Sequence, residues 1–330
     1  MSDTGDMHDT ARRIVTFGEA LLRFTPPQGE SLERAQMLSV EVAGAEANVA
    51  VALARLGAHA AFVSRLPDQA LGWHVRNKLR EHGVDVTHVA LVPGARQGVF
   101  YYEPGRAPRA GYVLYDRAHS AFATMQSAEF PLAALDGADL LHLSGITLCL
   151  GAGPRGATER AVIAARARHI PVSLDLNYRA RLATPEQARE WYEPIMRESH
   201  ILIFNRRDLV TLFGITGSPD EQLAQFHQRY PATICVMTDG ANGAYALAPH
   251  AMDGVVHVAA LPGVEHDRLG RGDAFCAGFV WGLLQLAIPY GLQCGVALAS
   301  LQQTYSGDLS WCTRAQLLAL VEGNHGTLDR

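Results

Sequence analysis

The groups most suited to chemistry lie in one short run, DRLGRGD at residues 267–273, directly before an apolar stretch at 274–288. Glycines ahead of a helix let the backbone approach a ligand closely. The free N–H groups of the first helical turn and the positive end of its dipole attract an anion. The run therefore predicts an anion hole at Gly270 and Gly272, suited to a transferring phosphoryl group. Asp273 stands beside it, where a carboxylate could take the proton of an attacking hydroxyl.

The same run has two other interpretations. Asp273 could simply cap a helix while the glycines form a turn, and spacing alone favours this interpretation. The tripeptide at 271–273 also spells an adhesion motif, but nothing in the sequence suggests secretion. Other segments must therefore decide.

A second candidate segment is VAGAEANVA at 42–50, the start of a predicted helix. Gly44 permits close approach of the backbone, and the Asn48 carboxamide can donate to and accept from sugar hydroxyls. Taken alone, Asn48 is more often a solvated or capping residue. The segment gains weight only in combination with Asp273.

The rest of the chain must position these groups, and its strands and helices alternate. This rhythm predicts a mostly parallel sheet with helices on both faces. The apolar stretch 274–288 is short for a bilayer, contains Gln285 and begins beside Asp273, so we interpret it as a buried helix. The predicted strands are 14–18, 60–64, 140–144, 172–176, 201–204 and 233–238, and the predicted helices are 45–56, 74–82, 159–168 and 187–198.

Two regions interrupt the alternation, at about 21–42 and 98–116. They contain short extended pieces separated by proline and glycine, among them the aromatic runs VFYYE and GYVLYD. Aromatic residues suit a pleated, half-buried sheet. We therefore predict a small antiparallel sheet lying over the main domain, with exposed edges through which a homo-oligomer could form.

Composition excludes several classes of protein. The formal net charge of −5 and the lack of a long basic run argue against nucleic acid as a partner. The five cysteines lie far apart without a C-x-x-C pair, so neither a disulfide framework nor a cysteine zinc site is expected. Residues 1–13 are polar and lack the apolar core of a signal peptide, so we expect them to form a disordered tail. Residues 14–330 are expected to form a single domain. The expected compartment is the cytoplasm.

Two of these segments resemble one known family. GRGDAFCAGF at 270–279 is similar to the G-A-G-D-A-F-x-A-G-F signature of the ribokinase-like (PfkB) carbohydrate kinases. AGAEANVA at 43–50 resembles their G-G-x-x-x-N-x-A signature, with Ala43 in place of the first glycine. The resemblance spans about 14–313. It implies a three-layer α/β sandwich with a small β lid, ATP and Mg²⁺, Asp273 as catalytic base and sugar contacts from Gly44 and Asn48.

Finer features resemble one branch, the 2-keto-3-deoxygluconate kinases. The branch carries D-R-x-G-x-G-D, R-x-x-S-A and D-x-N-x-R elements, matched at 267–273, 117–121 and 175–179. An arginine fork binds a carboxylate strongly, whereas a neutral sugar needs none. The resemblance implies these further site residues: Arg117 and Tyr115 at the acid end, Phe100 as a lid aromatic, Asp308 beside the sugar, Arg179 on the phosphoryl group and Asn177 on the nucleotide side.

The nucleotide side is implied by two shorter matches. Asn205 and Asp208 take the place of an N-x-x-E element that orders Mg²⁺ and phosphate, but Asp shortens the reach and Arg206 and Arg207 replace residues that are commonly acidic. TDGANG at 238–243 resembles the loop under the ATP phosphates. The implied nucleotide contacts are Thr238, Gly240, Gly243, Gly270, Arg271 and Gly272.

Rival hypotheses remain. GAGPRG at 151–156 fits a dinucleotide-binding fingerprint, with Asp175 after the next strand. We disfavour a dehydrogenase because Gly151 lies beyond ITLCL rather than in the tight turn after the strand, and we assign 151–156 to a connecting loop. Another sugar kinase, for fructose or a deoxy-inositol-derived acid, stays open, as does a sugar-acid-binding pseudokinase.

Overall fold

The structure is a computed structural model that describes residues 11–105, 107–231, 233–249 and 254–323. Of the predicted tail, residues 1–10 lie outside this part. The strands are β1 (Arg13–Phe17), β2 (Leu21–Thr25), β3 (Ser39–Ala43), β4 (His59–Pro67), β5 (Val89–Val92), β6 (Val99–Glu103), β7 (Tyr112–Asp116), β8 (Leu140–Ser144), β9 (Val172–Asp175), β10 (Ile201–Asn205), β11 (Ile234–Thr238), β12 (Ala244–Leu247) and β13 (Val256–Val258).

Ten α-helices lie within the described residues, together with three 3₁₀ turns at Ser127–Glu129, Leu132–Leu135 and Gly240–Asn242. The helices are α1 (Ala45–Arg55), α2 (Ala70–Glu81), α3 (Gly145–Leu148), α4 (Ala152–Ala167), α5 (Pro185–Glu198), α6 (Arg206–Phe213), α7 (Pro219–Arg229), α8 (Arg271–Gln285), α9 (Ile288–Gln302) and α10 (Arg314–Val321).

The main sheet has nine strands in the order β13-β12-β11-β10-β9-β8-β1-β4-β5. Every pair from β11 to β5 is parallel, and β12 and β13 add an antiparallel edge. Successive side chains of β1 enter opposite cores: Ile14 joins the layer of α1, α8 and α9, and Val15 joins the layer of α4 and α5. The predicted α/β sandwich with a parallel central sheet is confirmed.

The small sheet, which we call the lid, consists of β3-β2-β6-β7 in that order. Its outer pairs are antiparallel as predicted, but the central pair of β2 with β6 is parallel. The parallel direction of β2 and β6 follows from the order of the strands along the chain, because β2 follows β1 and β6 follows β5. Both strands thus leave the main sheet at the carboxyl edge of parallel strands and run the same way.

Most of the apolar stretch forms the buried helix α8, which ends at Gln285 and lies between two other helices. Helix α8 packs against α1 and most extensively against α9. A β-carbon at Gly278 would lie 2.5 Å from the carbonyl oxygen of Cys294, so glycine permits this close approach. Within the described residues, no helix combines the length and apolar character needed to cross a membrane.

The loop predicted at 151–156 is wrong. Gly151 is the N-cap of α4, which begins at Ala152, and the short helix α3 separates it from β8. Pro154 is tolerated there because the first turn has no hydrogen bond for it to break. A β-carbon at Gly153 would lie 1.7 Å from the carbonyl oxygen of Met125. Glycine at position 153 therefore allows α4 to pack closely against the backbone of Met125.

Candidate active site

The centre of the site is a hydrogen bond between two helix N-termini. Asp273 is the third residue of α8, and its Oδ2 accepts from Asn48 Nδ2 at 2.7 Å. Asn48 lies in the first turn of α1, whose N-cap is Gly44 at φ 144°. The Asn48 Oδ1 atom is buried and has no hydrogen-bond partner among the described residues. A buried acceptor left open in this way is suited to a hydroxyl donor from a ligand.

Electrostatics make Asp273 a stronger base than an ordinary carboxylate. Burial raises its pKa, while the hydrogen bond from Asn48 and the positive charge of Arg179 lower it. Arg179 is exposed and follows β9, and its charge also opposes the rise in pKa that burial causes at Asp175 and Asp208. Arg179 therefore acts electrostatically on carboxyl groups from both sides of the cleft.

The two glycines before Asp273 have different surroundings. Gly270 is the N-cap of α8 at φ 74°, and a β-carbon there would lie 2.4 Å from the carbonyl oxygen of Asp308. Gly272 is exposed, and a β-carbon there would meet no protein atom within 4 Å. Gly270 is thus required by the fold, whereas the space over Gly272 is open to a ligand. Arg271 turns towards Gln303, to which its Nη1 donates at 3.4 Å.

Asp308 already has a strong partner that the sequence did not indicate. Its Oδ2 accepts from Arg23 Nη1 at 2.7 Å, and Arg23 Nη2 donates to Asp267 Oδ2 at 2.7 Å. Burial raises the pKa of Asp308 to about 7, with Arg23 opposing the rise and Asp267 and Asp273 adding to it. Asp308 lies beside Gly270, as its predicted role requires, but a sugar hydroxyl would share it with Arg23.

Arg117 is likewise engaged by a residue that was not predicted. Its Nε donates to Glu19 Oε2 at 2.7 Å, its Nη2 also meets Glu19, and Ser120 Oγ donates to Glu19 Oε1. The guanidinium lies 5.6 Å from the centre of the Tyr115 ring. Tyr115 in turn packs against Phe100, a buried residue of the lid, at 5.4 Å between ring centres. A ligand carboxylate would share Arg117 with Glu19.

The carboxyl ends of β10 and β11 carry the predicted nucleotide residues. Asn205 Oδ1 caps α6 by accepting from the Asp208 backbone N–H at 3.0 Å. Burial raises the pKa of Asp208 to about 6, and its Oδ2 is buried without a hydrogen-bond partner among the described residues. Arg206 turns away to Asp239, Gln222 and Gly217 at 2.9, 2.7 and 2.8 Å.

The loop after β11 is built from backbone turns. Thr238 is the partner of Asn205 in the strand register, so the two lie at the same sheet edge. Gly240 and Gly243 have φ values of 55° and 95°, which favour glycine. Asn177, after β9, has a φ of 38°. These residues line the carboxyl edge, where nucleotides bind in open α/β sheets.

Two carboxyl groups near Asp273, the buried Glu46 and the partly buried Asp175, were missed as site residues. Glu46 accepts from Ser144 Oγ at 2.6 Å and Thr147 Oγ1 at 2.7 Å, and burial raises its pKa to about 7. Burial and the charge of Asp273 raise the pKa of Asp175 to about 8. Glu46 sits two residues before Asn48 inside the family-like segment, which was the available signal.

Comparisons with known proteins show the family and the fold of the chain. The model of the pfkB family carbohydrate kinases matches residues 11–314. A 2-dehydro-3-deoxygalactonokinase of Haloferax volcanii is 35% identical over 319 residues, covering 96% of this chain and 99% of the relative. A 2-dehydro-3-deoxygluconokinase crystal structure from Thermotoga maritima has a TM-score of 0.84 and 30% identity, covering 94% and 100%. An uncharacterized sugar kinase from Pyrococcus horikoshii in complex with ATP shares the fold, with a TM-score of 0.78, 18% identity and coverage of 92% and 97%.

Proposed function

The chain belongs to the pfkB family of carbohydrate kinases, and from that premise we propose that it phosphorylates a 2-keto-3-deoxy sugar acid with ATP. The proposed substrate is 2-keto-3-deoxygluconate, which would give the 6-phosphate. Its galactonate epimer is the second candidate, because the 35% identical relative is named for that sugar acid. The observation that carries the proposal is the Asn48–Asp273 hydrogen bond beside the open first turn of α8.

The proposed reaction uses the chain's own groups as follows. Asn48 holds the acceptor hydroxyl through its open Oδ1, and Asp273 removes the hydroxyl proton. The sugar oxygen forms its bond to the γ-phosphorus as the bond to ADP breaks. The N–H groups at Gly270 and Gly272, with the charge of Arg179, stabilise the charge on the phosphoryl oxygens.

The acid end and the metal have separate places in this proposal. Arg117, held in place by Glu19, would bind the sugar carboxylate. Mg²⁺ would enter with ATP and neutralise phosphate charge. Asp208 suits the metal because its buried Oδ2 lacks a protein donor, and the adjacent Arg206 is engaged with Asp239.

We further propose that two copies of the chain associate through the lid. Its outer face carries one apolar row straight across all four strands, Val40, Phe24, Tyr101 and Leu114. Val40 and Leu114 are 47% and 48% exposed, which a partner lid would cover. Sedimentation of the Leu114→Asp variant should show dissociation, and an unchanged sedimentation coefficient would refute the proposal. The cysteines of the described chain are free thiols, which suits the reducing cytoplasm that we propose as compartment.

The test of function is ADP release with Mg²⁺ and a panel of acceptors: 2-keto-3-deoxygluconate, its galactonate epimer, fructose and ribose. We expect turnover with the keto acids and less than one hundredth of it with the neutral sugars. The Arg117→Gln variant should lose most of that preference, and Arg109→Gln, a lid arginine paired within the lid to Glu103, should keep it. A preference for fructose would overturn the sugar-acid assignment, and binding without turnover would overturn the kinase assignment.

A further inference from the structure

One arginine of the lid crosses into the main domain. Arg23 lies on β2 and is only 2% exposed. Within the lid its Nε donates to Thr25 Oγ1 at 2.9 Å and lies 3.3 Å from Glu41 Oε2, and its guanidinium stacks over the Tyr102 ring at 4.6 Å. Its outer nitrogens reach Asp267 and Asp308 of the main domain. We call these two cross-domain contacts the Arg23 bridge.

The acceptors of the Arg23 bridge also hold the backbone of the proposed anion hole. Asp267 Oδ1 accepts from the Leu269 N–H at 3.1 Å, and its Oδ2 accepts from the Gly307 N–H at 3.2 Å. Gly270 packs directly on the Asp308 backbone. The two loops on either side of the α8 N-terminus are therefore both tied to one guanidinium.

A second contact joins the same loop to the lid. The Leu269 side chain packs against the lid's buried cluster, which includes Leu21, Phe100 and Tyr102. The backbone N–H of Leu269 donates to Asp267, which is bound by Arg23 of the lid. The main chain of Leu269 is therefore linked to the lid through Asp267, and its side chain contacts the lid directly. A shift of the lid would thus displace Leu269, the residue directly before Gly270.

The charges explain why the Arg23 bridge requires an arginine. Asp267, Asp308 and Glu41 surround a single guanidinium, so without Arg23 three carboxyl groups would repel one another across the lid boundary. An arginine fork presents donors in fixed directions and can serve two carboxylates at once, whereas an ammonium is a single point charge. Lysine at position 23 should therefore replace it only in part.

From this geometry we propose that Arg23 is a positioning residue, which couples the position of the lid to the shape of the anion hole through Asp267 and Asp308. The inference rests on the proposed function for its kinetic consequence. It assigns Arg23 no contact with the sugar or the phosphates. Its removal should therefore slow phosphoryl transfer more than it weakens binding of ATP.

The kinetic test compares Arg23→Gln and Arg23→Lys with Arg109→Gln, whose ion pair stays within the lid. We expect kcat to fall about 100-fold in Arg23→Gln, since small misplacements of reacting groups cost that much. Arg23→Lys should fall in between, KM for ATP should change less than threefold, and Arg109→Gln should match the wild type. A kcat of Arg23→Gln within threefold of the wild type would overturn the proposal.

A second readout needs no acceptor. Amide hydrogen exchange of the ligand-free, full-length protein should be faster at 267–273 and 305–309 in Arg23→Gln, and unchanged in Arg109→Gln. If Arg23→Gln does not fold, Asp267→Asn loosens the same contacts from the other side and should give the same exchange pattern. Unchanged exchange at 267–273 would refute the coupling. Wild-type protein inactive on every acceptor would sink the proposed function alone, because the exchange result would still decide the Arg23 bridge.

Discussion

The sugar side and the nucleotide side of the cleft are built from different groups. The sugar side consists of side chains that already pair across long stretches of chain: Asn48 with Asp273, Arg117 with Glu19, and Arg23 with Asp308. The nucleotide side consists mainly of turns, with glycines at 240 and 243 and a helix cap at Asn205. The sugar side therefore depends on contacts between segments that are distant in the sequence, while the nucleotide side depends mainly on local turns.

This difference should appear in the response to mutation. Removing one member of a buried charged pair leaves the other uncompensated, which is costly. A turn that offers backbone N–H groups loses little when a neighbouring side chain changes. Substitutions of the paired side chains on the sugar side should thus affect turnover or its pH dependence and also stability, whereas substitutions in the turns of the nucleotide side should change turnover little.

The largest effect is expected for Asp273→Asn. The amide cannot accept the hydroxyl proton, so kcat should fall by about a hundred- to ten-thousand-fold, while sugar affinity by calorimetry should stay nearly the same. Asp220→Asn, an exposed aspartate in the first turn of α7, is the matched control and should keep full activity. Turnover of Asp273→Asn within tenfold of the wild type would remove Asp273 from the role of base.

Three glycine-to-alanine variants sharpen the comparison next. Gly272→Ala should lower kcat about 10- to 100-fold without lowering stability, because its β-carbon meets only ligand space. Gly270→Ala should also lower the free energy of unfolding by about 2 kcal/mol, from positive φ and the contact with Asp308. Gly240→Ala, at positive φ with open space, should cost about 1 kcal/mol and little activity.

Urea unfolding and steady-state kinetics separate the two quantities in these variants. If Gly272→Ala retained wild-type kcat, the anion hole would have to lie elsewhere. If Gly240→Ala lowered kcat as far as Gly272→Ala, the contrast between the two sides would fail.

The third prediction concerns pH. Asn48 lowers the pKa of Asp273 by its hydrogen bond, so Asn48→Ala should raise that pKa. Because Asp273 works as a carboxylate, the acid limb of the kcat/KM profile should move to higher pH. Arg179→Gln should move the limb in the same direction, since its charge also lowers the pKa. A limb that stays in place in both variants would assign it to a different group.

Local patterns in the sequence were enough for the main architecture. The strand predicted at 140–144 is found at Leu140–Ser144, and the alternation of strands and helices gave the parallel sheet. Helix α4 begins seven residues before its predicted start at 159, because its glycines and Pro154 resemble chain breakers but instead allow close packing. The parallel pairing of β2 with β6 in the lid depends on how two connections leave the main sheet. No local sequence pattern predicts the course of those connections.

The charged pairs of the site could not be predicted for the same reason. Arg23 and Asp308 lie 285 residues apart, and Arg23 is one charged residue in a short strand. Glu19 also lies outside the quoted segments. The family-like motifs named one member of each pair, whereas the partner is decided by the packing of lid on main domain.

The smallest effect is expected for Arg206→Ala, on the nucleotide side. The position next to Asn205 suggested a disturbed metal environment, but the Arg206 guanidinium bonds to Asp239, Gln222 and Gly217. Its loss should therefore cost about 1 kcal/mol of stability and leave KM for ATP within threefold. Asp208→Asn is the contrasting variant and should raise the Mg²⁺ concentration for half-maximal activity about tenfold.

Magnesium titrations of turnover, with thermal unfolding of each variant, make this comparison. An Arg206→Ala enzyme that needed much less Mg²⁺ than the wild type would show that the arginine repels the metal. The nucleotide side would then depend on the charge of Arg206 as well as on that of Asp208. If only Asp208→Asn shifts the magnesium titration, the role of Arg206 is to stabilise the turn at Asp239. The metal would then be bound by Asp208 and the phosphates of ATP.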